Sequence, residues 1–571
     1  MKKLTNRSTL AQLCLYAAAK YKDRPAFAML SEGKICRRIT YKQMGDYSRM
    51  LGSLLKRMGT EKGGKVLLLS ENCPEWASAY FGIAFAQAVS VPLLTGFSVE
   101  QIQNIAVHSN ICAVCVSLSM SEKIAGLKEF SNLPFFYIDT IKENNSDAEI
   151  LVSINGDKQK ILMPSPATAL IADNKNSGND LAQTEFAKTE FTQTEFANTD
   201  CASIIYTSGT QGSSKGVMLS SKNLISSALS SMSFINIKPQ DRLLSVLPLA
   251  HSYECSLGFL APVISGASIT YLDKPPSPSV LLPALKLLRP TAMTSVPLLI
   301  EKIYNNAIAP KLNANKFFKW RLTRNLAIRT AGRKLLKALG GKIRFFGIGG
   351  APLTAEVEKF LYRAKFPYTV GYGLTEASPL VAGNAPYKFK LSSGLKPPKG
   401  VQIRIVKGDE NICTSSDVGE IQVYGPNVML GYYKDHAQTS EMITSDGWLR
   451  TGDLGYIDNK GKLHIRGRIK ALILGPSGEN IYPEEIEGIL GTSALIEDAL
   501  VYSSEKGELI ALVRLSEAAK AAAGATIQVL EDLRTWVNKK LAVFSRLNRI
   551  DIKSEPFEKT PTMKIKRYLY F

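Results

Sequence analysis

The chain has 571 residues, 45% hydrophobic and 8% aromatic, an ordinary globular composition long enough for roughly two to four domains. No run approaches the ~18 uninterrupted apolar residues of a membrane span. Eight scattered cysteines exclude a disulfide scaffold, and the net charge of +20 directs attention to where the basic residues concentrate.

The first residues carry the charge of a signal n-region, but Leu10–Ala19 contains Gln12 and Tyr16 and runs into Lys20. An amphipathic helix and a cytoplasmic location are therefore expected. Thr40 and Gln43 form a capping box before Tyr47, Leu51, Leu54, Leu55 and Met58 at helical spacing, and Gly59 supplies the stop. Val66–Leu69 then reads as a buried strand, and the rhythm repeats through Pro92 and Ile111–Val116. This is the pattern of an α/β domain with a largely parallel sheet. Cys112 and Cys115 lie in the strand-like run ICAVCV, with no second pair or nearby histidine to complete a zinc site.

Residues 165–200 break the pattern. The five-residue repeat Gln183-Thr-Glu-Phe-Ala, Lys188-Thr-Glu-Phe-Thr, Gln193-Thr-Glu-Phe-Ala matches neither a 3.6 nor a 2.0 period, so a poorly ordered surface insert is expected. Next comes Tyr206-Thr-Ser-Gly-Thr-Gln-Gly-Ser-Ser-Lys-Gly-Val217, which reads as joining a strand-like run to a helix-like one. Its glycines admit an anion to the backbone, while its hydroxyls and Lys215 donate to phosphate oxygens. It is not a Walker loop: Gly209 and Gly212 are too close together, and Lys215 is followed by Gly216.

From Lys302 to Ala355 there is no acidic residue, and Lys311–Arg344 carries eleven basic ones interleaved with Phe317, Phe318, Trp320, Leu322, Leu326 and Ile328. A solvated helical face and an anionic-lipid surface are the two main readings. No nucleic-acid module signature accompanies the stretch, so no nucleic-acid partner is expected. Ile343–Ile348 is a strand running into Gly349-Gly350-Ala351-Pro352, after which Thr354 caps a helix with Val357, Phe360, Leu361 and Ala364 on one face. A strand near Tyr368 leads into Gly371-Tyr-Gly-Leu-Thr-Glu-Ala377, and ligands gather at such strand ends. Past Gly400 short alternating runs predict an antiparallel β subdomain, and the last hundred or so residues a small α+β domain.

Seven segments in order, YTSGTQGSSKG (206–216), LPLAHSYE (247–254), GGAPL (349–353), GYGLTEASP (371–379), RTGD (450–453), GRIK (467–470) and TPTMKIKR (560–567), resemble the adenylate-forming superfamily of acyl-CoA synthetases, adenylation domains and luciferases. The resemblance covers roughly residues 10–571 apart from the repeat insert and much of the basic stretch 306–340. It implies a large N-terminal domain, residues 1–468, of α/β sheets plus a β subdomain, and a small mobile α+β lid, residues 469–571. The implied activity is ATP-dependent conversion of a carboxylate to an acyl-adenylate and then, with coenzyme A, to a thioester.

By that resemblance Thr207, Ser208, Gly209, Thr210 and Lys215 hold the β- and γ-phosphates. Glu376, with Thr210, holds Mg2+, and Thr375 meets the α-phosphate. Tyr372 stacks on adenine, with Gly349, Gly350, Ala351 and Gly373 beside it. Asp453 and Arg468 meet the ribose, and His251 lines the acyl site. Lys564 reaches the attacking carboxylate and the α-phosphate, although Met563 stands where the family commonly has glycine. Lys470 is the implied hinge and Gly478 a backbone contact to pantetheine. No aspartate for a substrate amine occurs in Ala250–Tyr253, so a medium- or long-chain fatty acid is expected rather than an amino acid, and with no carrier-protein segment after Phe571 a free-standing ligase is expected. The alternatives are an aryl-acid or other carboxylate ligase and an acyl-carrier-protein ligase. A fatty substrate favours peripheral membrane contact through 311–344; no oligomeric state is implied.

Overall fold

The computed structural model describes every residue except 1–3, 6, 145–146, 164–196, 209–213, 315–320, 409–410, 414–415, 475–479, 494, 505–506, 517–518, 520–526, 561–563 and 571. The repeat at 183–196 lies outside the described residues.

Two large sheets carry the first 430 residues or so. One runs, in spatial order, Leu380–Gly383, Tyr368–Gly373, Phe345–Ile348, Ala292–Ser295, Arg242–Leu244, Ser268–Leu272, Pro25–Ser31 and Lys34–Thr40. Its six inner strands are parallel and the two outermost are antiparallel. The other places Gly431–Tyr432, Ser214–Ser220 and Cys201–Ser208 at one side, next to Val89–Leu93, Lys65–Leu69, Ile111–Val116 and Phe135–Asn144. The parallel core predicted from the helix-then-strand rhythm is present in both. Helix Tyr41–Arg57 has its capping box between Thr40 and Gln43, and Gly59 beyond it takes φ +88°, as a helix stop requires. Helix Leu10–Tyr21 buries Leu10, Leu13, Cys14 and Ala17 in the largest core.

Two expectations change. The glycine-rich loop joins two antiparallel strands, Cys201–Ser208 and Ser214–Ser220, and helix Ser221–Ser231 begins only afterwards at the Ser220 cap. Val217 and Leu219 are buried alternately with Met218, a strand pattern, so the loop does not open a helix. Thr354 occupies the N-cap position, but its hydroxyl makes no cap bond; its own N–H donates to Glu301 Oε1 at 2.9 Å. In helix Arg321–Ala338 the buried face is Ile328, Gly332 and Leu335, while Leu326 is 65% exposed.

Five antiparallel strands between Gln402 and Arg468 form the predicted β subdomain. Beyond them Ile481, Ile486, Leu490, Val501, Val513, Leu533, Val537 and Ile550 form a core of their own. It lies around a sheet of Ile496–Ser503, Leu509–Leu515 and Arg549–Ile552, with helices Pro483–Leu490 and Ile527–Asn538. Pro483 opens its helix, where a missing N–H costs nothing.

Candidate functional site

The turn leaving strand Tyr368–Gly373 of the first sheet packs against strand Ser214–Ser220 of the glycine-rich hairpin. In that hairpin Thr207 and Lys215 are direct cross-strand partners. Lys215 Nζ sits 5.6 Å from the ring centroid of Tyr432, which the edge strand Gly431–Tyr432 brings into register beside Val217. The Tyr432 hydroxyl donates to Glu376 Oε1 at 2.8 Å, and Met429 N–H donates to the Glu376 carbonyl at 2.8 Å. Burial and the adjacent carboxylate hold the Tyr432 phenol well above its ordinary pKa, so it stays a donor. Ser208 ends the first hairpin strand; Gly209 and Thr210 lie outside the described residues.

Glu376 and Thr375 ride on a single short turn, Thr375–Ala377. Asn427 fixes that turn by donating to the carbonyls of Ala377 and Leu380 at 3.0 and 3.1 Å. The buried Thr375 hydroxyl lies 3.1 Å from Ser252 Oγ. Gly373 is obligatory here, because a Cβ would overlap the Pro379 carbonyl. Gly350 takes φ +88°, and a Cβ on Gly349 would stand 3.3 Å from the Tyr253 ring. Ala351 beside them is exposed.

The β subdomain supplies the opposite wall. Asp453 and Arg468 are paired across the strands Leu449–Ile457 and Leu463–Arg468. Arg468 Nε approaches Asp453 Oδ1 at 3.3 Å, and Tyr372 Oη donates to Asp453 Oδ2 at 2.6 Å. Burial and the neighbouring Asp453 raise the Tyr372 pKa far above normal. A carboxylate has about four lone-pair sites, so these two contacts leave acceptor capacity for two further hydroxyl donors.

His251 lies where strand Arg242–Leu244 has led into the next helical segment. Its Nδ1 accepts from Tyr253 N–H at 3.2 Å, which assigns the proton of the neutral ring to Nε2. Burial, then the charge of Lys564, push its pKa down to about 4. Lys564 itself is lowered by desolvation and by Arg468, against the opposing pull of Asp453, Glu484 and Glu376. The side chain keeps a solvent-facing surface, yet the protein around it withdraws enough water to disfavour the charge. The fields that His251, Asp453, Glu376 and Arg468 exchange with Lys564 bring the far end of the chain to the same cleft. Lys470 is exposed on the turn Ile469–Ala471 directly after Arg468. Strands Ile473–Leu474 and Asn480–Ile481 pair around 475–479, a stretch that includes Gly478 and lies outside the described residues.

Among the described residues no group of three or more His, Cys, Asp or Glu side chains is placed to hold a metal. Glu376 is a lone carboxylate. That fits Mg2+, which keeps several waters and needs only one or two carboxylates when phosphate oxygens supply the rest.

Sequence reasoning did not find Tyr432, Ser252, Asn427 or Glu254. Each is an uncharged or isolated residue whose importance comes from what the fold sets against it. The one available signal was that Ser252 and Glu254 fall inside the segment 247–254.

Fold and cleft together define an adenylate-forming enzyme. The chain matches the family model described as AMP-binding enzyme over residues 15–433 and belongs to that family. It is 29% identical to Long chain acyl-CoA synthetase 6, peroxisomal, of Arabidopsis thaliana, covering 93% of this chain and 79% of that one. It is 28% identical to Long-chain-fatty-acid–CoA ligase FadD15 of Mycobacterium tuberculosis, covering 89% and 86%. Among solved structures it resembles ATP-bound MatB from Rhodopseudomonas palustris, with TM-score 0.73, 22% identity and 98% of each chain covered. It also resembles the anthranilate CoA ligase AuaEII in complex with anthranoyl-AMP, with TM-score 0.75, 17% identity and 100% and 98% covered. No helix among the described residues is long and apolar enough to cross a membrane.

Proposed function

We propose that this chain activates a medium- or long-chain fatty acid with ATP and passes it, through an acyl-adenylate, to coenzyme A. The observation that carries the reading is the convergence of Lys564, His251, Thr375, Glu376, Asp453 and Arg468 on one cleft. Curated relatives named long-chain acyl-CoA synthetases or ligases support the fatty substrate.

In the first step a carboxylate oxygen attacks the α-phosphorus, and pyrophosphate leaves with the α–β bridging oxygen. Thr207, Ser208 and Lys215, with Gly209 and Thr210 of the same loop, take the departing phosphates. Mg2+ held at Glu376 would neutralise triphosphate charge. Thr375 donates to the α-phosphate, and Lys564 offsets the charge that gathers as two anions approach. A point cation in a partly desolvated cleft does this far better than one in water. Tyr372, flanked by Gly349, Gly350, Ala351 and Gly373, takes the adenine face, and Asp453 with Arg468 takes the ribose hydroxyls.

In the second step the coenzyme A thiol gives its proton to solvent and its sulfur attacks the acyl carbon. The single bond from that carbon to the oxygen shared with phosphorus breaks, and AMP leaves with that oxygen, which came from the acid. His251 is not a strong base here, since its pKa is pushed down to about 4; a neutral Nε2–H instead orients the acyl oxygen. Residues 469–571, with Lys470 as hinge, withdraw Lys564 between the steps and bring Gly478 toward the thiol arm.

Helix Arg321–Ala338 exposes Arg324, Arg329, Arg333, Lys334 and Lys337, and the exposed Leu326 lies among them. This face is the part of the chain that meets an anionic membrane surface, where a fatty substrate partitions. The reading as a whole is tested with carboxylates of graded chain length, ATP, Mg2+ and coenzyme A. AMP release is expected to peak at medium to long chains; AMP release only with aryl acids, or none with any acid, would overturn it.

A further inference from the structure

Glu254 is wholly buried, one residue after Tyr253. Its carboxylate is gripped by two hydroxyls: Ser245 Oγ donates to Oε1 and Thr294 Oγ1 to Oε2, each at 2.6 Å. Ser245 follows the strand Arg242–Leu244, Thr294 lies in Ala292–Ser295, and these strands are parallel neighbours. The carboxylate therefore ties the ends of two adjacent strands to the segment that carries His251. Gly258, one turn on, leaves the room, since a Cβ there would land on the Glu254 carboxyl. A third tether comes from Asn72. Its Oδ1 accepts from Leu249 N–H at 2.9 Å, while its Nδ2 donates to the Leu247 carbonyl at 2.6 Å and to Ser245 Oγ at 3.3 Å.

Three consecutive residues thus meet three different parts of the cleft, and the fourth lies beneath them. His251 lies within the field of Lys564, Ser252 meets the Thr375 hydroxyl, Tyr253 packs over Gly347 and Gly349, and Glu254 anchors the turn beneath them. Burying an ion without a cation is costly, and two hydroxyls offset the cost only in part. A pure packing role would be served better by an apolar side chain of the same volume.

We propose that Glu254, through Ser245 and Thr294, is a positioning residue that sets His251 and Ser252 against Lys564 and Thr375 for adenylate formation. The inference rests on the proposed carboxylate activation and deepens it. Burial raises the Glu254 pKa to about 7, against the lowering pull of its two hydroxyls. The titratable groups facing it are Tyr253 and Cys255 on its own segment and Tyr271 on the strand Ser268–Leu272, all pushed up by burial and neutral near pH 7. The carboxylate form holds both hydroxyls as donors, so the positioned state prevails above the Glu254 pKa.

The test compares Thr294→Val, which keeps volume and loses the hydroxyl, with Thr294→Ser, which keeps the hydroxyl. With four histidines in the chain, imidazole NMR resolves His251 without turnover. Its resonances are expected to move in Thr294→Val and to stay near the parent in Thr294→Ser. In pyrophosphate exchange kcat is expected to fall about 10-fold in Thr294→Val, with KM for ATP within about 2-fold of the parent. The acid limb of kcat moves to higher pH, because losing a donor raises the carboxylate pKa. Glu254→Gln abolishes that limb. Unmoved His251 resonances, or Val and Ser variants with equal kcat, would overturn the proposal. A parent that exchanges no pyrophosphate with any carboxylate overturns the proposed function instead, and the His251 resonances still decide this inference.

Discussion

Replacing Lys564 with alanine separates the two chemical steps. The charges of Arg468, Asp453, Glu484 and Glu376 act on the ammonium and its field reaches His251; under the proposed function it serves where the carboxylate and the α-phosphate meet. Deleting one preorganised contact of this kind costs on the order of 10²–10³ in rate, or about 3–4 kcal/mol. The loss should fall on adenylate formation, read by pyrophosphate exchange. Thioester formation from supplied acyl-adenylate should fall by no more than about 10-fold, because no charge then builds at phosphorus to the same extent. The pH dependence follows from the same surroundings. Desolvation and Arg468 lower the Lys564 pKa, so the active ammonium is lost at a pH below the ordinary lysine range, and adenylation should decline on that alkaline limb. Arg468→Ala removes a like charge and should move the limb upward, whatever it also does to ATP affinity. Equal loss of both half-reactions in Lys564→Ala, or a limb that moves downward in Arg468→Ala, would refute the reasoning.

Tyr372→Phe removes the donor to Asp453 Oδ2 and should raise KM for ATP by about 5- to 20-fold with kcat nearly unchanged, measured by initial rates. Because folded His251 has a pKa near 4 against the ordinary 6.5, the unfolded chain takes up the proton first as pH falls. Stability should therefore be lost between about pH 6.5 and 4. His251→Gln should remove about 3 kcal/mol of that acid-side loss in denaturant titrations. Reversing Arg329 and Arg333 to glutamate should weaken binding to anionic vesicles while leaving activity on detergent-dispersed acid within about 2-fold. Parent vesicle binding that persists unchanged from 0.05 to about 0.5 M salt would count against a basic surface.

Much of this architecture was legible because it rests on periodicity and on polar residues with few other uses. The capped helix Tyr41–Arg57, the buried strand Lys65–Leu69 and the turn into Gly349-Gly350 follow from spacing and from glycine's access to positive φ. The glycine-rich loop was misjudged as strand-to-helix because Val217–Leu219 is apolar under either reading, and only pairing with Cys201–Ser208 decides for a strand. Tyr432 was invisible for a related reason. It reaches Glu376 only because an edge strand more than 200 residues after the hairpin pairs with Val217 and Met218. In helix Arg321–Ala338 hydropathy alone does not set the rotation: Leu326 is exposed, whereas Ile328 and Leu335 are buried. Long-range pairing and helix rotation are tertiary facts, and one-dimensional patterns constrain them weakly.

In the proposed reaction the acid's own oxygen attacks the α-phosphorus of ATP within this cleft. This is tested by supplying a long-chain fatty acid labelled with oxygen-18 in its carboxylate, together with ATP, Mg2+ and coenzyme A, and weighing the products by mass spectrometry. One labelled oxygen is expected in each AMP released and none in pyrophosphate, with acyl-CoA formed in equal amount. Label in inorganic phosphate with ADP as the nucleotide product, or unlabelled AMP, would contradict it.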